Sequence, residues 1–277
     1  MIDLLHAYLH LLYPIDGDLH ESVAPARIVI AGDSSGACLS LALVQVVLAT
    51  RRVQQTDLPV VNFNGRQVLL PMPAGVALVS TSGDQTLALP SFESNGPFDT
   101  FGGKMPALQP GFPTCDLWPS EPPRGQVFCE VSAVCHPLMS PTAATDWRSA
   151  PPMYFASGLA ERLLDSAKVI ARNAAQQGVV VRWDGFEMMP HTWPMLFKSW
   201  PQTEICCQRV ARACIDFSAG DPGFSRSITI HIDGSETQNG TPDQLTDLDM
   251  AYVHKAMKAK QAEMKVFTGA ESAKAKL

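Results

Sequence analysis

One stretch of this chain limits its folding more than any other: Arg27 to Arg52, RIVIAGDSSGACLSLALVQVVLATRR. A β-branched run, Ile28-Val29-Ile30, leads into Gly32-Asp33-Ser34-Ser35-Gly36. An apolar segment, Ala37 to Thr50, follows. That segment reads as a helix apolar nearly all round, and so buried on several sides. The letters G-x-S-x-G therefore stand between a strand and a helix, the context in which the pattern has structural meaning. A strand that turns sharply into a helix strains the backbone of its central residue, and glycines on either side avoid Cβ clashes. Such a turn lifts the Ser34 hydroxyl clear of the sheet. It also aims the Ser35 backbone N–H, at the positive end of the helix dipole, toward any anion formed beside that hydroxyl. Gly32, Asp33, Ser35 and Gly36 then form an elbow around a nucleophile. A plain Gly/Ser turn carries the same letters, and the flanking strand and helix favour the elbow.

The rest of the chain alternates strand and helix. Gly75–Ser80 (GVALVS), Pro151–Ala156 (PPMYFA) and Val179–Trp183 (VVVRW) are short, continuous apolar runs of the kind buried in parallel sheets. Between the last two, Glu161 opens a helical pattern with Leu163, Leu164, Ala167, Ile170, Ala171 and Ala174 on one face, ending near Gly178. Helical spacing also marks Ile2–Tyr13, Thr203–Phe217 and Leu248–Lys265, and Ser227–Ile232 reads as a short strand. Gln54–Pro73 reads as a mixed segment and Asp233–Asp243 as a polar, mobile one. The expectation is an α/β chain whose mostly parallel sheet is covered by helices on both faces. A main domain spans 1–220, and a partly mobile C-terminal extension with a terminal helix spans 221–277. Inside the main domain, 81–150 loses periodicity. Prolines and glycines recur there (Pro90, Gly96, Pro106, Pro110, Gly111, Pro122, Pro123) between Phe92, Phe98, Phe101, Phe112 and Trp118. Such a stretch reads either as a cap-like lid that walls a pocket or as a packed irregular excursion.

Composition narrows the partners. The net charge of −6 comes with no basic block, which argues against nucleic acid. Seven cysteines without a C-x-x-C argue for reduced thiols and a cytoplasmic setting, with Cys206-Cys207 on a helix rather than in a zinc site. His6 and His10 lie one helical turn apart, but no carboxylate or cysteine has matching spacing. They read as a partly exposed helix face, and no metal is expected. Met1–Leu12 lacks the basic start of a signal peptide, and the apolar run Ala37–Ala49 is short for a bilayer, so no integral membrane segment is expected. No G-x-G-x-x-G or Walker loop calls for a nucleotide, and no cofactor is expected.

Three segments carry a family resemblance. GDSSG at 32–36 resembles the GDSAG elbow of the hormone-sensitive-lipase-like carboxylesterases, the alpha/beta hydrolase fold-3 family. Glu161-Arg162-Leu163-Leu164-Asp165 resembles that family's acid motif D/E-x-L-x-D, and Phe186-Glu187-Met188-Met189-Pro190-His191 resembles its F/Y-x-x-M-P-H. Cys135-His136-Pro137-Leu138-Met139-Ser140-Pro141 resembles the HPLxSP segment after the cap of fungal members, which makes His136 structural. The resemblance runs from about Leu4 to Phe217, with its motifs in the order serine, acid, histidine. It implies an α/β-hydrolase fold and hydrolysis of small carboxylic esters. Ser34 would be the nucleophile, His191 the base and Glu161 the acid. Asp165 is the main rival acid, Asp184 a distant one, and Asp33 a structural hydrogen-bonding residue. The resemblance also implies an HGG-type oxyanion loop several dozen residues before the elbow. Only 33 residues precede Ser34 and none reads HGG, so that loop and the first strands are expected to be missing. A truncated esterase, or a non-catalytic relative that holds a small apolar ligand, fits that departure. A sheet edge left open would favour pairing of copies into a homo-oligomer.

Overall fold

Alternating apolar positions on four runs sort themselves onto the two faces of one sheet. In a computed structural model the chain is described over residues 1–103, 112–120 and 124–267. Helix α1 (Ile2–Leu12) precedes β1 (Val29–Asp33), α2 (Ser35–Gln54), the hairpin β2 (Val60–Phe63) and β3 (Arg66–Leu69), and β4 (Gly75–Val79). After the short α3 (Ser91–Ser94) come β5 (Met153–Gly158), α4 (Leu164–Gln176), β6 (Val181–Phe186) and the short α5 (Trp193–Leu196). Helix α6 (Pro201–Ser218), strands β7 (Arg226–Ile230) and β8 (Glu236–Gln238), and helix α7 (Met250–Glu263) complete the described chain. The main sheet has six strands in the order β1-β4-β5-β6-β7-β8, parallel except for the last pair.

Period-two alternation decides which side chain meets which helix. Val76, Leu78, Met153, Phe155, Val181 and Trp183 face α2 and α4, where Leu41, Val44, Leu48, Ile170 and Ala174 close the core. Their neighbours Ala77, Tyr154 and Ala156 face the other way, onto Cys206, Ala213 and Phe217 of α6. Burying such a Leu, Val or Phe side chain contributes about 1.5–3 kcal/mol. Gly75 is glycine for a local reason: a Cβ there would stand 2.3 Å from the Phe217 ring.

Helix α2 is 20 residues long, longer than the apolar run suggested, and is apolar enough to cross a membrane on length and composition alone. Here it is a core helix. One side packs on the sheet, and Leu43 and Val47 on the other pack under Tyr8, Leu9 and Leu12 of α1 and Phe63 of the hairpin. The mixed segment 54–73 supplies that hairpin through Asn64-Gly65, both at positive φ, the residues a two-residue hairpin turn demands. The sheet also continues beyond residue 220. Strand β7 adds in parallel beside β6, and β8, within the stretch read as mobile, returns antiparallel to β7. Helix α7 packs Val253 and Met257 against Val169 of α4.

Part of the irregular segment, 104–111 and 121–123 with Pro106, Pro110, Gly111, Pro122 and Pro123, lies outside the described residues. The described part is tied down by polar knots. Asp84 accepts from the Thr86 N–H and hydroxyl and from the Ala88 N–H. Burial pushes its carboxyl above the ordinary carboxylate range, with the Thr86 and Ala88 bonds opposing. His136 takes part in a turn, accepting from the Leu138 N–H at Nδ1.

Candidate active site

The C-terminal ends of β1, β4, β5 and β6 converge on one point. Ser34 stands between β1 and α2 with φ 50° and ψ −115°, outside the regions open to an unstrained non-glycine residue. Such a conformation costs about 1–3 kcal/mol and persists only where the surroundings hold it. Here the Ser34 N–H donates to Val79 O across to β4, and Ser34 O accepts from the Cys38 and Ser82 N–H groups. Gly32 is needed for space: a Cβ there would lie 2.4 Å from the Gly36 carbonyl carbon. Gly36 is different, since a Cβ on it would meet nothing within 4 Å. The steric argument for two flanking glycines therefore holds for the first only. Ser35 opens α2, which leaves its N–H without an intrahelical acceptor. Asp33 ends β1 half-buried, and its carboxylate makes no hydrogen bond among the described residues, unlike the structural role expected of it.

Ser34 Oγ lies 2.8 Å from His191 Nε2, and His191 Nδ1 lies 3.1 Å from Glu161 Oε2. A carboxylate only accepts, so Nδ1 carries the proton and Nε2 offers its lone pair to the serine hydroxyl. His191 and Glu161 are 5% and 1% exposed, so both act in a nearly dry setting. Glu161 sits in the turn after β5, one residue-triplet before α4 begins at Leu164. Its other oxygen, Oε1, accepts from the Gly158 N–H at 2.6 Å and the Ser80 hydroxyl at 2.8 Å. Burial pushes the Glu161 carboxyl above its ordinary value, and bonds from His191, Gly158 and Ser80 pull it back. The charge is thus costly in the resting site and is best compensated when the imidazole gains a proton.

Two residues that no motif in the sequence marks hold this line together. Ser80, at φ 48° just beyond β4, donates to Glu161 and accepts from the Thr192 N–H at 3.0 Å. Its place at the end of a parallel strand was the available signal. Asp99 lies in the irregular segment and accepts the His191 N–H at 2.7 Å and the Arg162 N–H at 2.6 Å. It thereby joins the histidine loop to the acid turn. Thr100 Oγ1 donates to His191 O, Asn95 Nδ2 to Glu161 O, and the Phe101 ring stands edge-on to the imidazole at 5.2 Å. Nothing in the spacing of Asn95, Asp99 or Thr100 announces these contacts.

The rival acids are engaged elsewhere. Asp165 accepts from the Ser91 N–H at 2.7 Å while its own N–H donates to Ser91 Oγ, bracing α3 against α4. Asp184, in mid-β6, accepts from Tyr154 Oη, Arg209 and Arg226. The two neighbouring histidines also part company. His6 packs edge-on against Phe63 at 4.9 Å, whereas His10 turns to Asp18 and His20.

No family model matches the chain. It is 28% identical over 186 residues, 64% of its length, to an esterase of Acinetobacter venetianus, and that stretch is 50% of the relative. Among solved structures it is similar to an esterase/lipase from an uncultured bacterium, with a TM-score of 0.50 and 25% identity over 71% of this chain and 55% of that one. A hormone-sensitive lipase from a metagenome library matches with the same TM-score, identity and coverage. The chain thus spans about half the length of the relatives it matches. With its parallel sheet covered on both faces, it has the α/β-hydrolase fold.

Proposed function

We propose that the protein is a serine carboxylic-ester hydrolase acting through an acyl-enzyme, in which Ser34 is the nucleophile, His191 the base and Glu161 the acid. The observation that carries this reading is the unbroken line Ser34 Oγ–His191 Nε2 at 2.8 Å and His191 Nδ1–Glu161 Oε2 at 3.1 Å. A serine hydroxyl is a weak nucleophile until a neighbouring base takes its proton, and that base must be held in the right tautomer.

Ser34 Oγ attacks the acyl carbon as its proton passes to His191 Nε2. The carbonyl oxygen becomes an oxyanion facing the Ser35 N–H, where the α2 dipole favours negative charge. Glu161 offsets the imidazolium charge. Collapse of the tetrahedral intermediate breaks the bond to the alkoxy oxygen, which leaves as an alcohol with the His191 proton. A water then gives its proton to His191 and attacks the acyl carbon, and Ser34 leaves with that proton. The likeness to an esterase and to solved esterases and lipases supports this reaction class. Within the class we assign the chain to the hormone-sensitive-lipase-like branch, on the elbow, acid and histidine motifs. A cytoplasmic setting, in keeping with seven free thiols, belongs to the same reading.

The test is hydrolysis of short-chain p-nitrophenyl esters by the purified chain beside Ser34→Ala. The expected result is turnover that vanishes to background in the variant while the thermal melt is retained. Equal rates from two cooperatively melting proteins would refute the reading and leave a non-catalytic relative that binds a small apolar ligand or a truncated remnant.

A further inference from the structure

His10 lies in the last turn of α1, and the chain then loops through 13–24 before reaching β1. The loop is folded back onto the end of α1. The Val23 N–H donates to Leu11 O at 2.9 Å, and the Ser22 hydroxyl donates to Leu12 O at 2.6 Å. This return brings Asp18 and His20 beside His10, with one ligand atom from each within 4.8 Å of the other two. His10 Nε2 and Asp18 Oδ2 are 3.4 Å apart, long for a hydrogen bond. It is near the roughly 3.3 Å separating two ligands that each sit about 2.0–2.1 Å from a tetrahedral ion.

The hydrogen-bonding around the cluster points the same way. His20 Nδ1 lies 2.9 Å from the Glu21 carbonyl oxygen, which only accepts, so Nδ1 carries the proton. Nε2 is then left with a lone pair, and that atom is buried with no hydrogen-bond partner among the described residues. An imidazole whose Nδ1–H is held by a backbone carbonyl while Nε2 stays free is arranged as metal-ligating histidines are. Asp18 is oriented too, its Oδ2 accepting the Ile15 N–H at 2.6 Å. The His10 and His20 rings meet at 79°, so neither stacks over the other's nitrogens.

We infer that His10, Asp18 and His20 bind one divalent transition-metal ion, with zinc the best fit to two imidazoles and a carboxylate. All three side chains are partly exposed, which leaves the fourth position to water. The ion would clamp the end of α1 to the connection entering β1, the strand that delivers Ser34. The site uses none of the residues Ser34, Glu161 and His191 and stands whether or not the chain hydrolyses esters.

Isothermal titration of the EDTA-stripped full chain with zinc chloride tests this, beside His10→Gln, His20→Gln and a His6→Gln control. The expected result is one zinc per chain, a higher melting temperature with zinc, and affinity weakened by more than about tenfold in the His10 and His20 variants. His6→Gln should bind as the wild type does. Cobalt substitution should give visible d–d bands without thiolate charge transfer. Absent saturable binding, unchanged affinity in His20→Gln, or a thiolate band from the free cysteines would each overturn the site. Melts in EDTA check that each variant folds, and the near-isosteric Asp18→Asn replaces any that does not.

Discussion

Glu161 and Asp184 are two carboxylates of one sheet, each almost wholly withdrawn from water, and their surroundings differ in kind. Asp184 sits in mid-strand opposite Ala156 and is held by two permanent cations, Arg209 and Arg226, with the Tyr154 hydroxyl as a third donor. Glu161 sits just past a strand end, held by neutral donors from Ser80 and Gly158 and by one titratable imidazole. A buried carboxylate between fixed cations stays the same at every step of a reaction. One whose only cationic partner appears when a proton moves gains its full compensation at that moment. The first arrangement makes a rivet, the second an acid able to steady a base.

The largest expected effect separates the two roles outright. Glu161→Gln should lower ester turnover by about 10⁴-fold, because an amide tolerates the wrong imidazole tautomer. Its cooperative melt should survive. Steady-state kinetics with a short-chain ester decides this, and a variant within tenfold of wild type would erase the distinction. Next comes Asp184→Asn. Removing the carboxylate leaves Arg226 partly buried without its counter-charge and Arg209 with Glu236 alone, a loss of about 3–5 kcal/mol by urea denaturation. Turnover per folded molecule should change little, and a selective loss of activity would move Asp184 into the reaction. The smallest effect is on pH dependence. The folded-state pKa of Glu161 lies above its ordinary 4.5, so the folded chain holds that proton more tightly than the unfolded one. Its stabilising contribution is complete below 4.5 and is lost as pH rises through the raised value. Glu161→Gln should flatten that fall in urea midpoints measured between about pH 4 and 8. Some slope of the same sign should remain from Asp84, whose carboxyl is raised by burial too. An unchanged slope in Glu161→Gln would mean that the proton sits elsewhere.

Much of this architecture is written in local periodicity. The runs at 75–80, 151–156 and 179–183 became β4, β5 and β6, because continuous apolar residues have nowhere to go but a sheet covered on both faces. The hairpin at Asn64-Gly65 carries the turn residues such a hairpin needs, but the mixed polarity of its strands gives no alternation to mark them. Strand β7 matches the short strand read at 227–232, with less apolar character than the others. Arg226 and Ser227 stand where a buried strand would carry apolar residues, and Arg226 is tolerated because Asp184 neutralises it from the neighbouring strand.

By itself the sequence determined the elbow and the alternation of strand and helix. Each depends on residues within a few positions of one another, where backbone sterics and hydrophobic period act directly. Tertiary structure alone decided that Ser80 and Asp99 brace Glu161 and His191, and that Asp184 belongs to an ion-pair network. It also decided that His10 meets Asp18 and His20 rather than His6. Those partners are apart in the chain, and which polar groups meet depends on how strands register and loops return. A hydrogen bond between distant residues leaves no period to read, since its geometry exists only once the apolar core has set the distances.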